Sequence, residues 1–225
     1  MTCFPFQIVG FDLDGTLLDT HGDIGMALNH AMEGIGRPAF PLSEVAGMVG
    51  GGTRTLLDRA LDRTGGRGGV DFEALNADLI AYYADNIARH TRLYPGGEAA
   101  LDALEAQGVV LALVTNKLER LAVSLLEELG LAQRFALILG GDSLGPRRSK
   151  PAPDLLLEMS ARLGGGPAVY VGDTTYDTRA ARAANIPCAC FTGGFADSPP
   201  DELGADALFA HFDELVPTLR SLQPR

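Results

Sequence analysis

Four clusters of polar residues each stand behind a short apolar run. They are Asp12-Leu13-Asp14-Gly15-Thr16, Thr115-Asn116-Lys117, Lys150-Pro151-Ala152-Pro153 and Gly172-Asp173-Thr174-Thr175-Tyr176-Asp177. Three or four carboxylates gathered at one point repel one another unless a divalent cation sits among them, and an all-oxygen ligand set favours Mg²⁺. Asp12 and Asp14 are two apart, so in a strict strand they share a face, and Gly15 lets the backbone turn there. One of the pair can then be a metal-bound nucleophile while the other exchanges protons. Lys150 precedes two prolines and a helix start, a favourable place for an anion, and Thr115 adds a hydroxyl donor. Metal, ammonium, hydroxyl and backbone N–H groups together describe a cradle for a phosphoryl group in transfer.

The elements that must position these residues are legible in the hydrophobic pattern. Residues 6–11, 109–114, 135–139, 168–171 and 187–191 are β-branched, aromatic or otherwise apolar nearly throughout. That is the pattern of strands buried on both faces of a parallel sheet. Between them lie helical stripes: Leu101 and Leu104 before Gly108, then Leu118, Leu121, Leu125 and Leu129 before Gly130. A third stripe of Leu156, Met159 and Leu163 follows Pro153 and Asp154, which suit a first helical turn. Strands alternating with helices predict a doubly wound α/β core, whose ligands bind at the carboxyl ends of its strands. Residues 17–92 break the alternation. Ile24, Ala27, Leu28, Ala31 and Ile35 form one apolar face, Ser43 is placed to cap a short helix, and Leu56, Leu57, Ala60 and Leu61 mark another helix. Phe72, Leu75, Leu79, Tyr82, Tyr83 and Ile87 then form a longer one, ahead of Tyr94-Pro95-Gly96. The expected organisation is a core of residues 1–16 and 93–225 and an inserted helical cap without strands at 17–92.

Composition excludes several classes. With 46% hydrophobic and 21% charged residues in 225, the chain is an ordinary globular protein, large enough to bury a core without staples. Its formal net charge of -11 argues against nucleic-acid binding. The first residues lack a basic stretch and break at Pro5, so no signal peptide is expected. Apolar runs fall far short of the roughly 18 residues a membrane helix needs. Cys3, Cys188 and Cys190 are too few and too odd for a disulfide framework, so a cytoplasmic protein, monomeric or homodimeric, is expected. The spacing of Cys188 and Cys190 is that of plain packing on one strand face. His21, His30, His90 and His211 have no metal-ligand spacing with one another, and neither a Walker sequence nor GxGxxG follows the first apolar run.

Taken in order, DLDGT, Thr115, the Lys-Pro-x-Pro loop and GDxxxD resemble the four motifs of the haloacid dehalogenase-like hydrolase superfamily, across essentially the whole chain. Residues 48–52 and 140–143 resemble segments of the phosphoglycolate phosphatases within it, although Gly51 stands where their cap motif usually carries Asn. The resemblance implies that Asp12 attacks phosphorus and becomes an aspartyl-phosphate, while Asp14 protonates the leaving alkoxide and later deprotonates water. It implies that Thr115 and Lys150 hold the phosphoryl oxygens, with Gly15 and Asn116 beside the substrate. By the same resemblance Asp12, the carbonyl of Asp14 and Asp173 bind Mg²⁺, and Asp177 supports water or Lys150. Asp177 could equally cap the following helix.

The expected reaction is Mg²⁺-dependent hydrolysis of a small phosphorylated metabolite, 2-phosphoglycolate first, with a sugar phosphate, nucleotide or pyrophosphate as alternative. A dehalogenase would lack an acid at Asp14, a phosphonatase would carry a small residue there, and a β-phosphoglucomutase would offer a cap histidine near Ile24. A calcium loop starting at Asp12 would need an acid or Asn at Thr16, Gly at Leu17 and Glu at Asp23. A non-catalytic binding protein would be expected to have lost Asp12, Asp14 or Lys150. In the cap, Gly51, Gly52 and Arg54 are expected to receive the substrate's carboxylate, through backbone N–H groups at a helix start and a guanidinium.

Overall fold

A computed structural model describes residues 4–225, so Cys3 lies outside the described residues. The chain runs β1 (Ile8–Phe11), β2 (Leu18–Asp19), α1 (His21–Gly34), α2 (Leu42–Val45), α3 (Gly52–Arg63), α4 (Phe72–Asp85) and β3 (Arg92–Leu93). It continues with α5 (Gly97–Glu105), β4 (Val110–Val114), α6 (Glu119–Glu128), β5 (Leu137–Leu139), α7 (Asp154–Arg162) and β6 (Ala168–Gly172). Then follow α8 (Thr175–Ala183), β7 (Cys188–Phe191), β8 (Ala207–Phe209) and α9 (Leu215–Ser221).

Six strands form one sheet in the order β5-β4-β1-β6-β7-β8, all neighbours parallel. Each β1 residue pairs on both sides, Phe11 with Leu113 and with Val171. Successive side chains point to opposite faces, which explains why the strands read as unbroken apolar runs. Val9, Phe11, Leu111, Leu113, Val169 and Val171 pack with α5, α6 and α9. Ile8, Ala112, Val114, Tyr170, Cys188 and Cys190 pack with α7 and α8 on the other face. The core is therefore doubly wound. Both described cysteines are unpaired and buried in that second layer. The chain leaves β1 for β4 on one side and later crosses to β6 on the other. β1 thus ends at the point where the winding reverses, where a crevice opens.

Two expectations need correction. The stretch 17–92 is not free of strands at its limits: β2 and β3 pair antiparallel, Leu18 with Leu93 and Asp19 with Arg92. Two residues per strand are too few to create an alternation that a sequence reader could find. Ser43 caps nothing; it lies inside α2, which starts after Pro41 without a side-chain cap. The sheet also carries an unforeseen edge strand, β8, only three residues long and with Leu208 exposed.

The helices between β2 and β3 bury Leu28, Ala31 and Met32 of α1 against Leu75, Leu79 and Tyr83 of α4, with Leu57 and Leu61 of α3. Asp23 ties this block to the returning chain. Its buried carboxylate accepts from His90 N and Thr91 N at 3.0 and 2.9 Å and from Thr91 Oγ1 at 2.8 Å. Asp23→Ala would strand those donors away from water, so it is expected to cost about 3 kcal/mol in urea unfolding. A loss below about 1 kcal/mol would show that water replaces the carboxylate there. Among the described residues no helix is long and apolar enough to cross a membrane.

Candidate active site

Asp12 follows β1 directly, its N–H donating to Val171 O at 2.8 Å, so the ladder to β6 continues to that residue. The next residues turn back sharply, with the N–H groups of Thr16, Leu17 and Leu18 all directed to Leu13 O. Gly15 has φ +82°, and a Cβ there would lie 2.4 Å from Asp173 Oδ2. Glycine is required at this position both for the backbone conformation and for space. Thr115 follows β4, and Asp173 follows β6. Gly172 is equally constrained, since a Cβ there would stand 2.4 Å from the Asp177 side chain.

Lys150 is the charge centre of the site. Its side chain is 1% exposed, with Nζ 2.9 Å from Asp12 Oδ1 and 2.7 Å from Asp177 Oδ1. The approach to Asp12 is an ionic contact off the hydrogen-bond direction, leaving Asp12 Oδ1 without a hydrogen bond. Nζ also donates to the Tyr170 hydroxyl at 2.8 Å, and that hydroxyl donates to Val114 O. Asp177 does both things that were open for it. Its Oδ1 holds Lys150, and its Oδ2 accepts from Thr174 N at 2.9 Å and Thr174 Oγ1 at 2.7 Å, capping α8.

Carboxylate oxygens of Asp12, Asp173 and Asp177 lie within 4.8 Å of one another, all buried. Burial disfavours all three anions, but their neighbours differ. Lys150 and the Thr174 donors outweigh burial at Asp177 and hold it below the usual carboxylate range. Burial pushes Asp12 up to about 6 despite Lys150. Asp173 is driven well above the ordinary range, by burial first and then by the charges of Asp177 and Asp12. Hydrogen bonds to Asp173 from Thr16 Oγ1 and Phe195 N, both 2.7 Å, offset this only in part. Three carboxylates against one ammonium leave two negative charges uncompensated, the charge of one divalent cation. Hard oxygen donors at this spacing fit Mg²⁺. Asp177 is already paired with the Lys150 ammonium, whereas Asp173 meets only neutral donors and Asp12 Oδ1 has no hydrogen bond, so Asp12 and Asp173 are the side chains suited to the ion.

The Asp14 side chain is not in this cluster. Its carboxylate receives Lys117 Nζ at 2.9 and 3.0 Å. Burial alone would lower the Lys117 pKa, yet Asp14 and Tyr83 outweigh it and raise it above the ordinary lysine value. A cavity lies above, walled by Asp12, Asp14, Thr115, Asn116 and Lys117 from the core and by Val49, Gly50, Gly52, Thr53, Leu79 and Tyr83 from the helical block. Asn116 spans the two, donating through Nδ2 to Gly50 O at 3.0 Å and to Lys150 O at 2.9 Å.

Three expected substrate contacts are not on this wall. Gly15 is behind it, facing Asp173 and Phe195. Gly51 packs against Thr55 of its own helix. Arg54 points to solvent, its guanidinium donating to both oxygens of Glu73 and lying 5.0 Å from the Phe72 ring centroid. Two residues, about 200° of helical rotation, separate it from Gly52 on the cavity wall, an angle the linear pattern 50–54 does not reveal. Lys117 and Tyr170 took part in no role read from the sequence. Lys117 stood in plain view beside Thr115, whereas Tyr170 lies within an apolar strand and gave no signal.

The model of the family described as haloacid dehalogenase-like hydrolase matches residues 9–191. A phosphoglycolate phosphatase of Cereibacter sphaeroides is 39% identical over 215 residues, covering 95% of this chain and 98% of its own. Another, plasmid-borne, from Cupriavidus necator is 40% identical, covering 94% of this chain and 92% of its own. Among solved structures, that of a predicted phosphoglycolate phosphatase from Haemophilus somnus is similar, with a TM-score of 0.87 at 30% identity, over 95% of this chain and 97% of the other.

Proposed function

The chain belongs to the haloacid dehalogenase-like hydrolases, and we propose that it hydrolyses a small phosphomonoester, 2-phosphoglycolate first, through an aspartyl-phosphate at Asp12. The observation that carries this reading is the asymmetry of the two aspartates. Asp12 faces Lys150 inside the acidic cluster, whereas Asp14 is turned away from it toward the cavity and Lys117.

In this mechanism an Asp12 oxygen attacks phosphorus, and the bond from phosphorus to the leaving oxygen breaks. Asp14 gives its proton to that oxygen. Water then attacks the acyl phosphate while Asp14 takes the proton back, releasing phosphate and restoring Asp12. Thr115 Oγ1 and Lys150 Nζ stabilise the phosphoryl oxygens, and Asp177 keeps the ammonium in place. Asp12, Asp173 and the carbonyl of Asp14 would hold Mg²⁺, whose positive charge would let an anionic nucleophile approach an anionic phosphate. Residues 17–92 act as a cap that encloses the leaving group and selects it. The names of the relatives favour phosphoglycolate, and a cavity that combines an ammonium with apolar cap residues suits a short acidic ester.

The test is kcat/KM over phosphoglycolate, sugar phosphates, nucleoside monophosphates and pyrophosphate, with Mg²⁺ and with excess chelator. Phosphoglycolate is expected to lead the panel, and chelation to remove activity by at least about 10³-fold, consistent with the weight of electrostatic stabilisation in such sites. Sugar phosphates preferred tenfold or more would overturn the substrate. Full activity in chelator would overturn the metal.

A further inference from the structure

We infer that Lys117 determines specificity: it pairs with the substrate's carboxylate and, in doing so, releases the Asp14 side chain toward the leaving oxygen. This rests on the phosphomonoester reading above. Among the residues lining the cavity Lys117 is the one cation. It is also already engaged, with both Asp14 oxygens within 3.0 Å of Nζ. An Asp14 held this way must give up this contact, and take a proton from water, before it can protonate a leaving oxygen. A substrate carboxylate is the group that can take its place, because one anion then replaces another beside a buried ammonium. A neutral leaving group offers no such exchange. It would leave Lys117 on Asp14, or strand a buried charge.

A further observation points to a ligand at the same spot. The Tyr83 hydroxyl is buried on the cavity wall and makes no hydrogen bond, although its ring lies 4.3 Å from Lys117 Nζ. Burial pushes its pKa up to about 12, so it stays a donor. A carboxylate bound to Lys117 is within the neighbourhood of the Tyr83 hydroxyl, which can donate to it. In phosphoglycolate one methylene separates carboxylate from leaving oxygen. Docking the first on Lys117 therefore brings the second beside Asp14, the residue Lys117 has just released. Recognition would appear in kcat as well as KM, since the contact that identifies the substrate also frees the acid.

The experiment compares phosphoglycolate with 2-hydroxyethyl phosphate, which replaces the carboxylate by a neutral hydroxymethyl group. Lys117→Gln is expected to reduce the preference for phosphoglycolate by at least about 30-fold, the scale of a charge-assisted contact. Lys117→Arg should recover part of it, and Tyr83→Phe should lose about fivefold. Arg54→Ala, outside the cavity, should keep the wild-type preference within twofold. Equal losses on both esters in Lys117→Gln would mean a structural role and overturn the inference, as would an intact preference. Should Lys117→Gln not fold, Tyr83→Phe and Lys117→Arg must still shift the ratio, or the inference fails. Calorimetric binding of both esters to Asp12→Asn, with and without Lys117→Arg, supplies a readout free of turnover. A wild-type protein that hydrolyses p-nitrophenyl phosphate but favours neither ester overturns this inference alone. One that hydrolyses no phosphomonoester overturns the phosphatase reading, and equal calorimetric affinity for the two esters then disposes of Lys117 as well.

Discussion

Asp12→Asn is expected to lower kcat by at least about 10⁴-fold, the scale seen when a nucleophile is removed, while leaving the fold intact. Asparagine keeps the shape but cannot form the acyl phosphate. The variant should be no less stable than the wild type in chelator. Burial already works against the Asp12 anion, raising its pKa to about 6, so an uncharged isostere removes a cost rather than a support. Lys150 keeps Asp177 and Tyr170 as partners. Thermal unfolding and single-turnover kinetics check both halves. A variant that unfolds early would assign Asp12 to stability, and one with wild-type turnover would end the covalent mechanism.

Lys150→Met is expected to fail in both respects. The side chain is 1% exposed and is the ammonium that meets Asp12 and Asp177. Without it three carboxylates remain buried together, and breaking such a pair costs about 3–5 kcal/mol. A methionine of similar length fills the space, so the loss reports charge rather than a cavity. Turnover should fall by about 10³-fold, because in the proposed mechanism the same ammonium stabilises the phosphoryl oxygens. Mg²⁺ distinguishes this from general damage. With one positive charge gone, the acidic cluster has more to gain from a cation, so Mg²⁺ should raise the Tm of the variant more than that of the wild type. Equal Mg²⁺ shifts in the two proteins would place the ion elsewhere. Asp173, buried between the Thr16 hydroxyl and the Phe195 N–H, would then be a purely structural acid.

Both expectations concern residues that are legible in the sequence, and the reason is local. Asp12, Thr115 and Asp173 each stand directly after a strand whose apolar run is unbroken. In a parallel sheet the ends of such strands share one rim whatever fills the gaps between them. Lys150 is the exception. It follows a loop of ten residues after β5, and what made it readable was its pattern with the prolines rather than a strand end.

Where function depended on angles across space, the linear order said little. Arg54 and Gly52 are two residues apart, yet Gly52 lines the cavity and Arg54 faces Glu73 in solvent. Helical rotation separates neighbours that a list of residues keeps together. Lys117 and Asp14 are 103 residues apart in sequence and 2.9 Å apart in the fold, a pairing made by two strand ends and closed over by Tyr83 from α4. Neither β8 nor the β2–β3 pair had enough residues to establish a period, so only their hydrogen-bonded partners define them. The sequence by itself determined the doubly wound core and the strand ends of its rim, because burial on both faces of a parallel sheet leaves a compositional trace at every strand except the short edge strand β8. The tertiary structure alone decided which of those residues touch, and which cation waits in the cavity, because contacts between distant segments depend on packing angles that no spacing encodes.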